Sequence, residues 1–530
     1  VAERETFDYV IVGAGSAGCV LANRLSADPA VEVLLLEAGG EDTDDEFHIP
    51  AAFPSLFKTQ HDWNYETVEQ KYLGKSTYWP RGKVLGGCSS INAMIYIRGN
   101  RADYDRWRDE HGAVGWGHDD VLPYFVRAER NSRLGGPLHG TEGPLHVEDR
   151  VFTHELSHAW VDSATTWGLK PTDDFNGESQ EGVGQYQVTC HQGRRWSTAD
   201  AYLRPAMDRP NLTVRTHAQT TRVLFDGTKA IGVSYLDKGT DRAVYAGREV
   251  LLSGGAVNSP QLLMLSGVGP AEHLREHGID VVAALPGVGE NLHDHPAAGV
   301  IWSTKGSSDL VSAATPLGMV RYQLTKRGPL ASNIGEAGGF MPTIDGLDAP
   351  DMQFHVAPTL FYDNGMREPT TPGFTAAATL VEVASRGRLR LRSANPLWRP
   401  EIDPSYYAEP ADFTAMLAGL RTLMDIGRGG GLQRYLDRPF LPDRHDIDDD
   451  ALGEHVRQHT QTLYHPVGTC AMGTGEQAVV DPELRVRGVE NLRVVDASIM
   501  PVVPRGNTNA PTIMVAEKAA DLISASRAGR

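Results

Sequence analysis

The hydrophobic pattern changes character along the chain. Tyr9–Val12 is a short run rich in β-branched residues, and it stops at Gly13. Such a run, closed by a glycine, predicts a buried parallel strand. Val20, Leu21 and Leu25 then recur at helical spacing, and Val33–Leu36 forms a second strand-like run ending at Glu37. Residues 373–393, GFTAAATLVEVASRGRLRLRS, alternate instead. They predict antiparallel strands on a sheet with one covered face. Residues 411–428 return to helical spacing, with Phe413, Met416, Leu417, Leu420, Leu423 and Met424 on one docked face.

These patterns predict an α/β protein with a discontinuous division. Residues 1–150, 192–303 and 464–530 read as a nucleotide-type domain, because strand–helix alternation and glycine motifs fall there. Residues 151–191 and 304–463 read as a second, α+β domain built on an antiparallel sheet. A length of 530 residues agrees, being too long for one ordinary core.

Composition narrows little. The formal net charge of −18 argues against nucleic acid as a partner. The four cysteines lie far apart and form no Cys-x-x-Cys pair, so no zinc site and no disulfide framework is expected. No His/Cys/Asp/Glu spacing indicates a metal. No apolar run approaches the ~20 residues of a membrane span. The N-terminal charges lead straight into a strand rather than a signal peptide, and a soluble, cytoplasmic protein is expected.

The chemistry begins with FDYVIVGAGSAGCVLANRLSADPAVEVLLLEAGG, residues 7–40. Gly13, Gly15 and Gly18 form G-x-G-x-x-G between strand and helix, and Glu37 closes the next strand 37 − 18 = 19 residues later. Glycines permit a tight turn and close backbone approach to a pyrophosphate at a helix N-terminus. The carboxylate is placed for ribose hydroxyls. The spacing does not separate FAD from NAD.

WPRGKVLGGCSSINAMIYIRGN (79–100), GGAVNSPQLLMLSGVGP (254–270), GVGENLHDHP (287–296), YHPVGTCAMG (464–473) and GNTNAPT (506–512) follow in order. With the N-terminal fingerprint they resemble the glucose–methanol–choline (GMC) oxidoreductases, from residue 7 to about residue 523. The resemblance implies a Rossmann-like, doubly wound FAD-binding domain and a second domain roofing the flavin. It implies cofactor contacts from Gly13, Gly15, Ser16, Ala17, Gly18, Glu37, Ala38, Trp63, Arg81, Val84, Gly86, Gly87, Ser90, Asn92, Ala93, Val223, Tyr464, Asp496, Asn507 and Thr508. Covalent members attach flavin through a histidine at the position of Ile91, so FAD is expected to be held non-covalently.

Alcohol oxidation needs a base for the hydroxyl proton and a donor to hold the oxygen while hydride moves to flavin N5. The resemblance assigns these roles to His465 and Asn509, with Asn509 at the mouth of a helix. His293 and His295 are expected to be structural. The implied activity is oxidation of a primary alcohol to its aldehyde, with O2, a quinone or another redox partner as acceptor. A lyase on the same fold, of hydroxynitrile lyase type, remains open, and so does assembly as a homodimer. VIWSTKGSS (300–308) carries no acid, which disfavours choline, and an apolar or aryl alcohol is expected.

Overall fold

In the computed structural model, residues 4–306, 309–310 and 315–528 are described. Two seven-stranded sheets organise them. In chain order their strands are β1 (Thr6–Val12), β2 (Val33–Leu36), β3 (Gly182–Gln185), β4 (Leu212–Arg215), β5 (Ala218–Asp226), β6 (Lys229–Asp237) and β7 (Thr240–Leu252). There follow β8 (Pro296–Thr304), β9 (Ala337–Met341), β10 (Met352–Ala357), β11 (Gly373–Leu380), β12 (Leu436–Leu441), β13 (Gln461–Thr462) and β14 (Leu492–Val494). Four helices matter below: α1 (Ser16–Leu25), α2 (Gly255–Leu265), α3 (Pro410–Arg428) and α4 (Asn509–Ala528).

The first sheet runs β4-β2-β1-β7-β6-β5, with β14 pairing β7 on the side of its parallel half. Val10 pairs in parallel with Leu34 on one side and Val250 on the other, and Leu252 pairs with Val494. The strands β1, β2 and β7 are wholly buried at this centre, as continuous Val/Ile/Leu runs must be when helices cover both faces. Their C-terminal ends therefore converge on one crevice, where ligands of doubly wound sheets bind.

The second sheet, β12-β8-β11-β10-β9-β3 with β13 on β8, is antiparallel throughout. The expected boundary at 303 crosses it, because β8 pairs along Ala297–Ser303 with β11. An apolar run such as PAAGVIWST looks the same in either kind of sheet, so periodicity could not assign it.

The expected single covered face of 373–393 is also corrected. Seven of the eight residues of β11 are buried, because α3 packs on one side and a cavity lies on the other. Arg388–Arg390 leave that sheet and pair with Glu401–Asp403 in a separate ribbon. In α3, Met416, Leu420, Leu423 and Met424 are buried as expected, whereas Phe413 and Leu417 are half-buried at the rim. All four cysteines are free thiols. No helix among the described residues is long and apolar enough to cross a membrane.

Candidate active site

One cavity of about 710 Å³ runs from the glycine turn after β1 to the inner face of the second sheet. At its first end Gly13 adopts φ +98°, and a Cβ there would lie 2.6 Å from the Ser253 carbonyl oxygen. Gly18 is equally constrained, since its Cβ would meet the Gly13 oxygen at 1.9 Å. Helix α1 thus sits directly on the turn. Gly15 differs: the nearest protein atom to its Cβ would be Gly87 Cα at 4.0 Å, so the room before it belongs to the cavity. No side chain caps α1, which leaves the first N–H groups of the helix for a ligand.

Glu37 is buried and takes hydrogen bonds from the N–H groups of Ala14 (2.9 Å) and Gly39 (2.8 Å). Burial nevertheless pushes its carboxyl up to about 7. Its side chain fixes the glycine turn as well as facing the cavity. Ser253 Oγ and Thr220 Oγ1 also border the cavity, buried and without a hydrogen-bond partner. Free helix N–H groups, a carboxylate at the end of β2 and orphaned hydroxyls fit a dinucleotide.

Of the expected cofactor residues, Gly13, Gly15, Ser16, Ala17, Glu37, Ala38, Trp63, Arg81, Gly87, Asn92, Ala93, Tyr464, Asp496, Asn507 and Thr508 border this cavity. Gly18, Val84, Gly86, Ser90 and Val223 do not. The Gly86 N–H bonds the Ala14 carbonyl at 2.7 Å, and Ser90 Oγ donates to Leu85 O at 2.7 Å, so both hold the loop against the turn. Val84 is buried in a small apolar cluster with Phe53, Phe57 and Ile91. Val223 gives its N–H to Ser266 Oγ, and Ala218, Gln219 and Thr220 border the cavity from β5 instead. Asp496 has both oxygens engaged, by Gly255 N and Ser259 Oγ on one and by Ser498 N and Oγ on the other. It anchors the start of α2 rather than offering a free carboxylate.

At the second end of the cavity stands His465. Its segment is held by backbone pairing with 293–295: Leu463 N–H bonds His295 O at 2.9 Å, and Val467 N–H bonds His293 O at 3.0 Å. Asp294 Oδ1 accepts the His465 N–H at 2.7 Å, while its other oxygen takes the Tyr406 hydroxyl. Arg81 Nη2 donates to the Tyr464 carbonyl at 2.6 Å. The imidazole itself is buried, and burial with His295, His355 and Arg81 around it holds its pKa well below the ordinary value.

The amide facing this imidazole is Asn507, not Asn509. Asn507 Nδ2 lies 3.3 Å from His465 Nε2, and Asn507 Oδ1 accepts from Gln353 Nε2 at 3.4 Å. Asn509 begins α4, and its Oδ1 accepts from Ser16 Oγ at 2.8 Å, at the other end of the site. The sequence offers two asparagines in GNTNAPT, and only the helix start separates them.

His295 was expected to be structural but lies against His465, Nδ1 to Nδ1 at 3.0 Å. His293 is structural: Nδ1–H donates to Asn291 O at 2.7 Å and Nε2 accepts the Val503 N–H at 2.9 Å. The spacing of NLHDHP gives no sign of this difference, which arises from the pairing with 463–467.

A doubly wound sheet with a dinucleotide crevice, an antiparallel second sheet, and a buried histidine–amide pair on the loops beside the cavity are the arrangement expected of a flavin-dependent oxidoreductase. The chain belongs to the GMC oxidoreductase family: both of its domain models match, over residues 7–297 and 383–516. It is 45% identical over 527 residues to an alcohol dehydrogenase [acceptor] of Pseudomonas putida, spanning 98% of this chain and 95% of that one. Mitochondrial choline dehydrogenase of Mus musculus is 44% identical over 535 residues, spanning 98% and 90%. Among solved structures, pyridoxine 4-oxidase from Mesorbium loti superposes with a TM-score of 0.90 at 30% identity, covering 98% and 99% of the two chains. A formate oxidase variant from Aspergillus oryzae RIB40, studied for FAD modification, gives 0.92 at 28% identity, covering 99% of each. The protein is an oxidoreductase acting on CH–OH donors, with FAD as cofactor.

Proposed function

We propose that this protein oxidises an uncharged, apolar primary alcohol to its aldehyde, with FAD held non-covalently. One observation carries the reading: the His465–Asn507 pair opens onto a compartment walled by Phe53, Phe57, Ile334, Phe361, Ala377 and Leu441. Of the carboxylates near that compartment, Asp363 is paired with Arg367 at 3.2 Å, and the Asp62 oxygens are taken by the Tyr78 hydroxyl and the Lys58 and Arg81 N–H groups. A quaternary ammonium head would have to compete with these partners, whereas an apolar tail would find a matching wall.

Bound FAD supplies the acceptor for the hydride. The chain's own residues prepare the alcohol. A hydroxyl oxygen lodged beside both Asn507 Nδ2 and His465 Nε2 would replace their 3.3 Å contact, accepting the amide N–H and donating its proton to Nε2. Because burial keeps His465 neutral, its lone pair is available across the working pH range. Asn507 stabilises the oxygen as negative charge develops on it, and its own orientation is set by Gln353. Ile91, buried beside the cavity, offers no nucleophile for a covalent flavin link, which supports non-covalent retention.

The test is an anaerobic panel of alcohols read by flavin absorbance, followed by admission of air and, separately, of a soluble quinone. Aliphatic or aryl primary alcohols should bleach the flavin and choline should not. Bleaching by choline in preference to neutral alcohols would overturn the substrate assignment. Turnover with a flavin that stays oxidised would indicate a lyase. Reoxidation by air or by quinone alone identifies the acceptor.

A further inference from the structure

His295, His355 and His465 stand together at the substrate end, and only His465 has a role in the proposed reaction. His295 is fully buried, with its ring nearly perpendicular to that of His465 at a centroid separation of 5.2 Å. Its Nδ1 lies 3.0 Å from His465 Nδ1, so one of the two nitrogens carries the shared proton. The order of donors decides which. Gln353 Nε2–H points at Asn507 Oδ1, so Asn507 turns its N–H toward His465 Nε2. His465 Nε2 is therefore an acceptor, and its proton resides on Nδ1. His295 Nδ1 must accept that proton, which places the His295 proton on Nε2, with the Val381 carbonyl as the backbone acceptor beside this ring.

We propose that His295 is a positioning residue for alcohol oxidation: by accepting the Nδ1–H of His465 it holds the base in the tautomer whose Nε2 lone pair faces the substrate oxygen. The inference rests on His465 being the base. When the alcohol O–H bond breaks and an N–H bond forms at Nε2, His465 becomes an imidazolium with both nitrogens protonated. Its Nδ1–H then donates to His295, whose lone pair stabilises the positive charge. The electron pair of the C–H bond leaves with the hydride to FAD, so protons and electrons balance.

A neutral acceptor has a different consequence from a carboxylate at this place. A carboxylate would raise the basicity of its imidazole and keep it charged in a buried site. His295 orients without adding charge. The groups facing the pair agree: His355 and Arg81 disfavour a cation, Arg505 acts on His295 in the same sense, and Asp294 spends its oxygens on the His465 N–H and Tyr406. The pair is thus neutral at rest and bears the proton only during turnover.

His295→Asn and His295→Phe separate positioning from packing. Asparagine Oδ1 stands the same number of bonds from Cα as histidine Nδ1 and can accept the same proton, whereas phenylalanine keeps ring volume and accepts nothing. Both are made as holoenzyme, and FAD content and melting temperature are recorded first. Anaerobic stopped-flow should give His295→Phe a flavin-reduction rate lowered about 10- to 100-fold, the usual cost of losing a partner that orients a functional imidazole. Its apparent substrate affinity should change little, and His295→Asn should recover most of the rate. A His295→Phe rate equal to wild type, or equal losses in both variants, would overturn the proposal. Should His295→Phe fail to fold, ¹⁵N-histidine NMR of the wild-type holoenzyme decides: His465 protonated at Nδ1 supports it, and protonation at Nε2 removes it. Failure of the base reading itself would look different, since His465→Ala would then reduce flavin at the wild-type rate.

Discussion

At the scale of single residues, the site separates the two asparagines of GNTNAPT. Asn507→Ala should slow flavin reduction by about 10²-fold, as loss of one preorganised donor does, with FAD still bound. Asn509→Ala should leave reduction nearly intact and instead cost about 1 kcal/mol of stability, because it loses only the Ser16 contact at the start of α4. Parallel stopped-flow and denaturant titrations of the two variants check this, and reversed outcomes would restore Asn509 as the partner of the base. His465→Ala should fold, bind FAD and reduce it about 10²–10⁴-fold more slowly. For pH, the base works when neutral, hence above its pKa. Burial lowers that pKa, so the reduction rate should be flat through the ordinary histidine range and fall only at markedly lower pH. A rising limb centred near pH ~6.5, where an unperturbed imidazole titrates, would mean that a different group controls the rate. The position of His465 on the cavity was legible because a motif frames it. Its contacts with Asn507 and His295 were not, because they depend on how segments 42 and 170 residues away fold against it.

At the scale of elements, β1, α1 and β2 were legible from periodicity and glycine spacing, and the structure adds why those glycines are required. Gly18→Ala would force a Cβ into the Gly13 carbonyl, a backbone atom that cannot swing aside. The variant should lift α1 from the turn and lose FAD on gel filtration, whereas wild type keeps it. Retention of FAD by Gly18→Ala would show that the turn tolerates the displacement. Glu37→Ala should cost more than ribose contact, since the Ala14 and Gly39 N–H groups are left without their acceptor. Loss of both FAD affinity and melting temperature in the apoprotein is expected. An unchanged apoprotein would confine Glu37 to the ligand. Strand β8 escaped the sequence because a strand buried on both faces has no alternation. Of the antiparallel sheet, β11 was legible as a strand but its burial on both faces was not, and the alternating Arg388–Arg390 stretch belongs to a separate ribbon.

At the scale of the molecule, helices α1 and α4 are joined across 493 residues of chain. Glu517 of α4 is fully buried and meets Arg24 of α1 at 2.7 Å, Arg127 at 2.8 Å and the Tyr202 hydroxyl at 2.8 Å. Removing it leaves two guanidinium groups and a hydroxyl without their shared partner. Both arginines keep about a third of their side chain in water, so Glu517→Ala should cost about 3 kcal/mol, the low end for a broken buried pair. Denaturant midpoints measure it, and a change below about 1 kcal/mol would place the cluster among ordinary surface pairs.

The union of α1 and α4 has a consequence for how the protein is made. A ribosome adding roughly 5–20 residues per second completes the β1–α1–β2 turn early and reaches residue 509 only after some tens of seconds. Throughout that interval the buried face of α1 lacks the helix that covers it, and for most of it His465 and Asn507 have not been synthesised. Cofactor capture therefore waits for residue 509 and the helix it begins, however early its fingerprint is read out. Nascent chains arrested before residue 509 should fail to retain FAD, while chains extended to residue 528 beyond the exit tunnel should hold it; flavin bound to the shorter chains would show that the crevice closes without its last helix.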